Sequence, residues 1–399
     1  MKIVDVRTIV TCPGRNFVLL KIVTDSGLYG VGDGTLNGRE LAVASTLEEH
    51  IRPLLIGRDA DRIEDIWQSL FRGSYWRGGP VLNSALAAVD LALWDIKGKR
   101  AGLPLYSLLG GRTREGALCY THATGETFAE TTDHARRLIA QGFKVVRCQC
   151  AIPGTIGTYG SGRGNAPVGE ALPVVETWEP APYLRTVPRL FDHLRTQLGD
   201  EVEIFHDVHE RLTPIQAARL GRELEPYRLL FLEDPLRPEH KESFRVIRQH
   251  TTTPLAMGEL FTNKWECLPL ITEQLIDYIR CDLAHVGGIT EARKIAAIAE
   301  CYSVQTAWHG PPDISPITHA ANVHLDLATP NFGVQEWVTH PPQVSDVIQG
   351  GPTMAGGYLN VSDAPGLGCD IDERAAARYP YQRGYLPVVR RADGSVHDW

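Results

Sequence analysis

Ile204-Phe205-His206-Asp207, Leu230-Phe231-Leu232-Glu233 and Ala256-Met257-Gly258-Glu259 are three short apolar runs, each closed by a carboxylate. Asp207 to Glu233 and Glu233 to Glu259 are each a step of 26 residues. One strand, helix and pair of loops in a parallel barrel occupies roughly that length, so the spacing predicts three carboxylates at one height on neighbouring strands, at the C-terminal face where barrel active sites are built. Working outward, Leu118–Tyr120, Val145–Cys148, Tyr278–Arg280, Val304–Trp308 and Gly333–Gln335 read as further strands. Helical stretches such as Phe128–Gln141, Pro214–Leu224, Glu291–Tyr302 and Pro316–Leu327 lie between them. Thr213-Pro214 is a strong helix start, a capping hydroxyl followed by proline at the first helical position. Eight strands alternating with helices predict an α/β fold, a (β/α)₈ TIM-like barrel, over residues 116–355. The doubly wound open sheet is the alternative, and no strand here runs into a GxGxxG turn.

Residues 1–115 have a different pattern. Lys2–Ile9, Phe17–Thr24 and Leu28–Val31 read as strands with Asp25-Ser26-Gly27 as a hairpin turn, and helices follow at Arg39–Ile56, Arg62–Arg72 and Asn83–Arg100. Strands followed by helices suggest an α+β capping domain. The segment 356–399 is expected to return to it and complete it. Residues 151–182, rich in Gly and Pro, separate the second barrel strand from its helix and read as a lid insertion.

The formal net charge of −8 and the absence of a Lys/Arg cluster argue against a nucleic-acid or anionic-membrane surface. No apolar run approaches the roughly eighteen residues of a membrane span, and Met1-Lys2-Ile3-Val4 does not read as a signal peptide. Eight cysteines without a CxxC pair read as core thiols, Cys148 and Cys150 among them, and the expected compartment is the cytoplasm.

Single acidic residues at strand ends usually solvate loops or cap helices. Three of them converging would repel one another unless a cation neutralised them, and all-oxygen ligation suits Mg²⁺. Asp207, Glu233 and Glu259 are thus the candidate metal ligands.

Asp207…Glu233-Asp234-Pro235…Gly258-Glu259, together with Ala87-Ala88-Val89-Asp90-Leu91-Ala92-Leu93-Trp94-Asp95, resembles the enolase superfamily across nearly the whole chain. Members abstract a proton alpha to a carboxylate and stabilise the resulting enediolate with Mg²⁺. Where many members carry Lys-x-Lys on the second strand, this chain has Arg147-Cys148-Gln149, which is similar to the mannonate dehydratase subgroup. That resemblance implies a catalytic set of Arg147, Tyr159 on the lid and His209 in Asp207-Val208-His209. It also implies substrate contacts from Asn37, His122, Arg280, His309, Asp313, Glu336 and Trp399, and a homo-oligomer.

The implied chemistry is dehydration of a six-carbon aldonic acid, D-mannonate or D-gluconate, to 2-keto-3-deoxy-D-gluconate. Arg147 beside Tyr159 would favour the phenolate, which removes the C2 proton. His209, protonated, would donate to the departing 3-hydroxyl. Two alternatives stand beside this reading. His309 with Asp282 resembles the histidine–aspartate base of the mandelate racemase group and would make an epimerase or racemase. A catalytically silent acid-sugar binder is the other. In His309-Gly310-Pro311-Pro312-Asp313, proline stands where efficient mannonate-specific members usually have alanine, which implies low efficiency on D-mannonate. Proline there fixes φ and removes a donor beside His309.

Overall fold

A computed structural model of the chain describes residues 1–157 and 173–399. Three strands, β1 (Ile3–Thr11), β2 (Phe17–Thr24) and β3 (Tyr29–Asp33), form an antiparallel sheet at the N-terminus. The helix Pro80–Ala101 lies so close on β3 that a Cβ on Gly32 would stand 1.9 Å from the carbonyl oxygen of Ala88. This helix also joins cap to barrel. Asp90 Oδ2 accepts from the Thr290 amide at 2.9 Å, and Asp95 accepts from the amides of Val31 and Leu367 at 3.0 and 2.8 Å.

The barrel strands are β4 (Ala117–Ala123), β5 (Val145–Cys148), β7 (Glu203–Asp207), β8 (Leu232–Glu233), β9 (Leu255–Met257), β10 (Tyr278–Ile279), β11 (Gln305–Thr306) and β12 (Gln335–Glu336). They pair in parallel in the order β12-β4-β5-β7-β8-β9-β10-β11. A parallel bridge between Thr306 and Phe332 links the last of these toward β12. Successive side chains alternate across a strand, so every second one fills the barrel. Tyr120, Val145, Phe205, Phe231, Ala256, Ala307 and Val334 form that buried layer, with the Phe205 and Phe231 rings tilted by 48° at a separation of 4.3 Å. Outside the barrel, helix 214–224 opens with a Thr213–Gln216 capping box and Pro214 in its first turn.

Inside the long connection after β5, a short strand β6 (Val175–Thr177) precedes the helix Pro180–Leu198. The C-terminal segment does more than return to the cap. Beyond β13 (Ile348–Gly350), a hairpin of β14 (Thr353–Ala355) and β15 (Tyr358–Asn360) pairs antiparallel with β4. After β16 (Cys369–Ile371), the chain straps the β1–β2 turn, where Thr11 Oγ1 donates to the Ala376 and Tyr379 carbonyls at 3.0 and 3.1 Å. It then crosses back to the barrel, where β17 (Val388–Arg390) pairs with β6 and with β18 (Val396–His397). The last residue, Trp399, lies at the barrel mouth.

Candidate active site

Two residues beyond six members of the apolar barrel layer, and beyond Tyr278 packed against it, the alternation points a polar side chain into the same interior, one step nearer the C-terminal face; Gly258 holds that position after Ala256. Those positions are His122, Arg147, Asp207, Glu233, Arg280, His309 and Glu336, reached from Tyr120, Val145, Phe205, Phe231, Tyr278, Ala307 and Val334. A buried apolar plug thus carries a ring of polar groups.

The ring is tied into one network. Arg147 donates from Nη1 to Asp207 Oδ2 at 2.9 Å, and its Nη2 lies 3.1 Å from His122 Nδ1. His122 Nε2 meets Glu336 Oε1 at 2.7 Å. Glu336 Oε2 accepts from Arg280 Nη2 at 3.1 Å and from the Gly310 amide at 2.9 Å. Arg280 also places Nε 2.6 Å from Glu233 Oε1. Burial lowers His122, and the neighbouring Arg147 adds to that. Burial alone would raise Glu336, but His309, His122 and Arg280 outweigh it and hold it well below the usual carboxylate range.

The equal sequence spacing does not translate into equal height. Asp207 and Glu233 are direct partners across β7 and β8, whereas the β9 partner of Glu233 is Ala256. Glu259 comes three residues later, past Gly258, whose φ of +140° suits glycine. The connection between β8 and β9 is three residues shorter in register, and the turn at Gly258 makes up the difference. Among the described residues, Glu233, Asp234 and Glu259 place oxygens within 4.8 Å of one another, and a His209 ring nitrogen comes as close to oxygens of Glu210 and Glu259. Asp207 belongs to neither set; its oxygens accept from Arg147 and from the His209 amide at 2.9 Å.

Among the described residues, Glu233 Oε2 and Asp234 Oδ2 have no hydrogen-bond partner and Glu233 Oε1 has the Arg280 ion pair, while Asp234 Oδ1 takes the Gly258 amide at 2.9 Å. Burial pushes Glu233 well above the usual range despite Arg280, and pushes Asp234 up with help from Glu259. Buried carboxyls with unserved oxygens and too little positive charge fit a hard divalent cation. Asp234 and Glu210 were not singled out from sequence. Asp234 directly follows a strand-end carboxylate, and its φ of +37° is what turns it to the same side.

Two imidazoles flank Glu259. His209 Nε2 lies 3.4 Å from Oε1, and His309 Nε2 lies 3.5 Å from Oε2. His209 is held through Nδ1 by the Trp399 carbonyl, and the two rings meet edge to face at 5.2 Å. His309 Nδ1 lies 2.9 Å from Asp282 Oδ2, so the aspartate fixes the imidazole orientation. Burial would lower His309, but Glu259, Glu336 and Asp282 outweigh it and raise it to about 10. Asn37 and Asp313 meet each other, Nδ2 donating to Oδ2 at 2.9 Å. Tyr159 lies outside the described residues.

Residues 5–110 match the mandelate racemase/muconate lactonizing enzyme N-terminal domain family, and residues 130–375 match the enolase C-terminal domain-like family. The chain is 55% identical to a D-mannonate dehydratase of Caulobacter sp. (strain K31) over 402 residues, covering all of both chains. It is 51% identical, again over the full length of both, to a D-galactonate dehydratase family member of Cellvibrio japonicus. In structure it is similar to an enolase from Pantoea ananatis with bound D-gluconate and Mg, at a TM-score of 0.93 and 46% identity, covering 100% of this chain and 99% of that one.

Proposed function

The chain belongs to the enolase superfamily, and on that footing we propose that it is a Mg²⁺-dependent hydro-lyase converting D-mannonate or D-gluconate to 2-keto-3-deoxy-D-gluconate. One observation carries the reading: a general-acid candidate, His209, stands 3.4 Å from Glu259, itself part of a buried cluster of under-served carboxylates. Full-length relatives that carry dehydratase names, and a neighbour holding D-gluconate and Mg, support it.

Glu233 and Glu259, with Asp207, would hold the metal, and Asp234 lies within reach of the same position. The bound cation supplies Lewis-acid charge for the substrate carboxylate, which acidifies the C2 proton. Tyr159 takes that proton as phenolate, with Arg147 favouring the charged form. Arg147 is already oriented by Asp207 and His122, so it costs little reorganisation during the reaction. His209 donates to the departing 3-hydroxyl, its ring turned by the Trp399 carbonyl bound at Nδ1 so that Nε2 faces inward. His122, Arg280 and Glu336 form a rigid floor.

A second reading rests on the 2.9 Å contact between His309 and Asp282. An oriented imidazole could move a proton at C2 and epimerise the substrate. The deciding experiment incubates the protein with Mg²⁺ and a panel of acid sugars in D₂O, reading 2-keto acid and deuterium at C2 of recovered substrate. Keto acid from D-mannonate or D-gluconate supports dehydration. Exchange or inversion without keto acid overturns it in favour of the second reading.

A further inference from the structure

The loop His309–Ser315 is fixed to the barrel at its start and to the cap at its end. His309 bonds Asp282, the Gly310 amide bonds Glu336, and Ser315 and Thr318 bond a cap residue, Asp33, at 2.8 Å each. Asp313, at the middle of this loop, has a different attachment. Arg15 Nη1 donates to Oδ1 at 2.5 Å and Asn37 Nδ2 donates to Oδ2 at 2.9 Å. Among the described residues, both donors come from the cap.

Arg15 is itself placed by a built turn. It follows Gly14, whose φ of +89° requires glycine and whose added Cβ would stand 3.2 Å from Pro341. Asn16 then exchanges two hydrogen bonds with the Gln382 backbone, at 2.5 and 3.1 Å, and the Cys12 amide donates to the Tyr379 carbonyl at 2.8 Å. The turn is gripped on both sides, and its tip delivers a guanidinium to a single carboxylate.

We infer that Arg15 is a positioning residue for substrate specificity: with Asn37 it clamps Asp313 so that the remaining lone pairs of that carboxylate face the hydroxyl-bearing end of an acid sugar. The inference rests on the acid-sugar reading above. Asp313 stands four residues along the loop from His309, whose Nε2 lies 3.5 Å from Glu259, and its two cap donors put it at the seam between barrel and cap. A six-carbon acid whose carboxylate lies at the Glu233–Asp234–Glu259 cluster would therefore meet it with its hydroxyl-bearing end. Each Asp313 oxygen gives one lone pair to the cap and keeps another for a hydroxyl donor. A carboxylate held at both oxygens cannot swing away, so its geometry selects hydroxyls at the far end and contributes little to a ligand that does not reach them.

The test compares wild type, Arg15→Ala and Arg15→Lys, each with Mg²⁺, on D-gluconate and on a four-carbon aldonic acid. Turnover gives kcat and KM, and ligand-dependent thermal stabilisation gives affinity for both acids. Arg15→Ala is expected to raise the KM for the six-carbon acid about tenfold while kcat changes much less. Affinity for the four-carbon acid is expected to stay the same, and Arg15→Lys to recover part of the loss. Equal weakening on both acids, or no change on either, overturns the inference. Should Arg15→Ala fail to fold, Arg15→Gln takes its place, keeping a donor without the charge. A wild type that neither binds nor turns over any acid sugar sinks the functional reading and this inference with it; an active wild type matched by Arg15→Ala sinks this inference alone.

Discussion

Nδ1 of His309 stands 2.9 Å from Oδ2 of Asp282, and Nε2 of the same ring stands 3.5 Å from Glu259. An imidazole so held can orient substrate or exchange a proton with it, and the two roles respond differently to mutation. With Tyr159 as the base, Tyr159→Phe is expected to lower kcat by about a thousandfold or more, whereas Asp282→Asn costs on the order of tenfold through loss of orientation. Steady-state kinetics on D-gluconate with Mg²⁺ decides it. The reverse order of severity would make His309 the base.

His209 is turned by Trp399, because its Nδ1 bonds that residue's carbonyl and its ring packs edge to face on the indole. Removing Trp399 frees the ring to rotate, so kcat is expected to drop about ten- to a hundredfold with little change in melting temperature. His209→Asn removes the donor altogether. It is expected to abolish keto-acid formation while deuterium still enters C2 of recovered substrate, read by NMR in D₂O. Loss of both signals would contradict a role confined to the departing hydroxyl.

Glu233 is fully buried, and among the described residues its Oε2 has no hydrogen-bond partner. If a divalent cation is its partner, adding Mg²⁺ stabilises the chain against heat, by about 2.7 kcal/mol at a hundredfold excess over Kd. Glu233→Gln should erase that stabilisation, measured by calorimetry with and without chelator. An undiminished Mg²⁺ effect in the variant would place the metal elsewhere.

Burial raises Asp90 from 3.8 to about 7, against hydrogen bonds from Thr290 that pull it down. A carboxyl that holds its proton more tightly when folded contributes stability below about pH 4 and loses it progressively as pH rises toward about 7. Other carboxylates shift the total, so the difference between wild type and Asp90→Asn is the quantity to follow. The variant is expected to gain on wild type by a few kcal/mol across that window in denaturant titrations. A difference independent of pH would show that Asp90 is ionised throughout.

Part of the site was legible in the chain because strand pattern is local. Asp207 and Glu233 could be placed at strand ends from the short apolar runs they close, whereas Arg147, His122, Arg280, His309 and Glu336 entered through the resemblance, and the fold shows each of them two residues beyond an interior-facing side chain. Asp207 and Glu233 are in register, as their 26-residue step suggested. What local pattern could not supply was register across strands. Equal spacing suggested equal height for Glu259, yet its height depends on how the chain between β8 and β9 packs and on the turn at Gly258. Contacts between residues hundreds of positions apart were beyond sequence pattern altogether. Arg15 on Asp313, Asp33 on Ser315 and Trp399 on His209 arise only when cap, barrel and C-terminal strap are docked. The sequence by itself determined that carboxylates close the strands ending at Asp207 and Glu233, because a short apolar run and the residue that closes it are local features. Tertiary structure alone decided which groups meet, because pairing depends on the path of the whole chain.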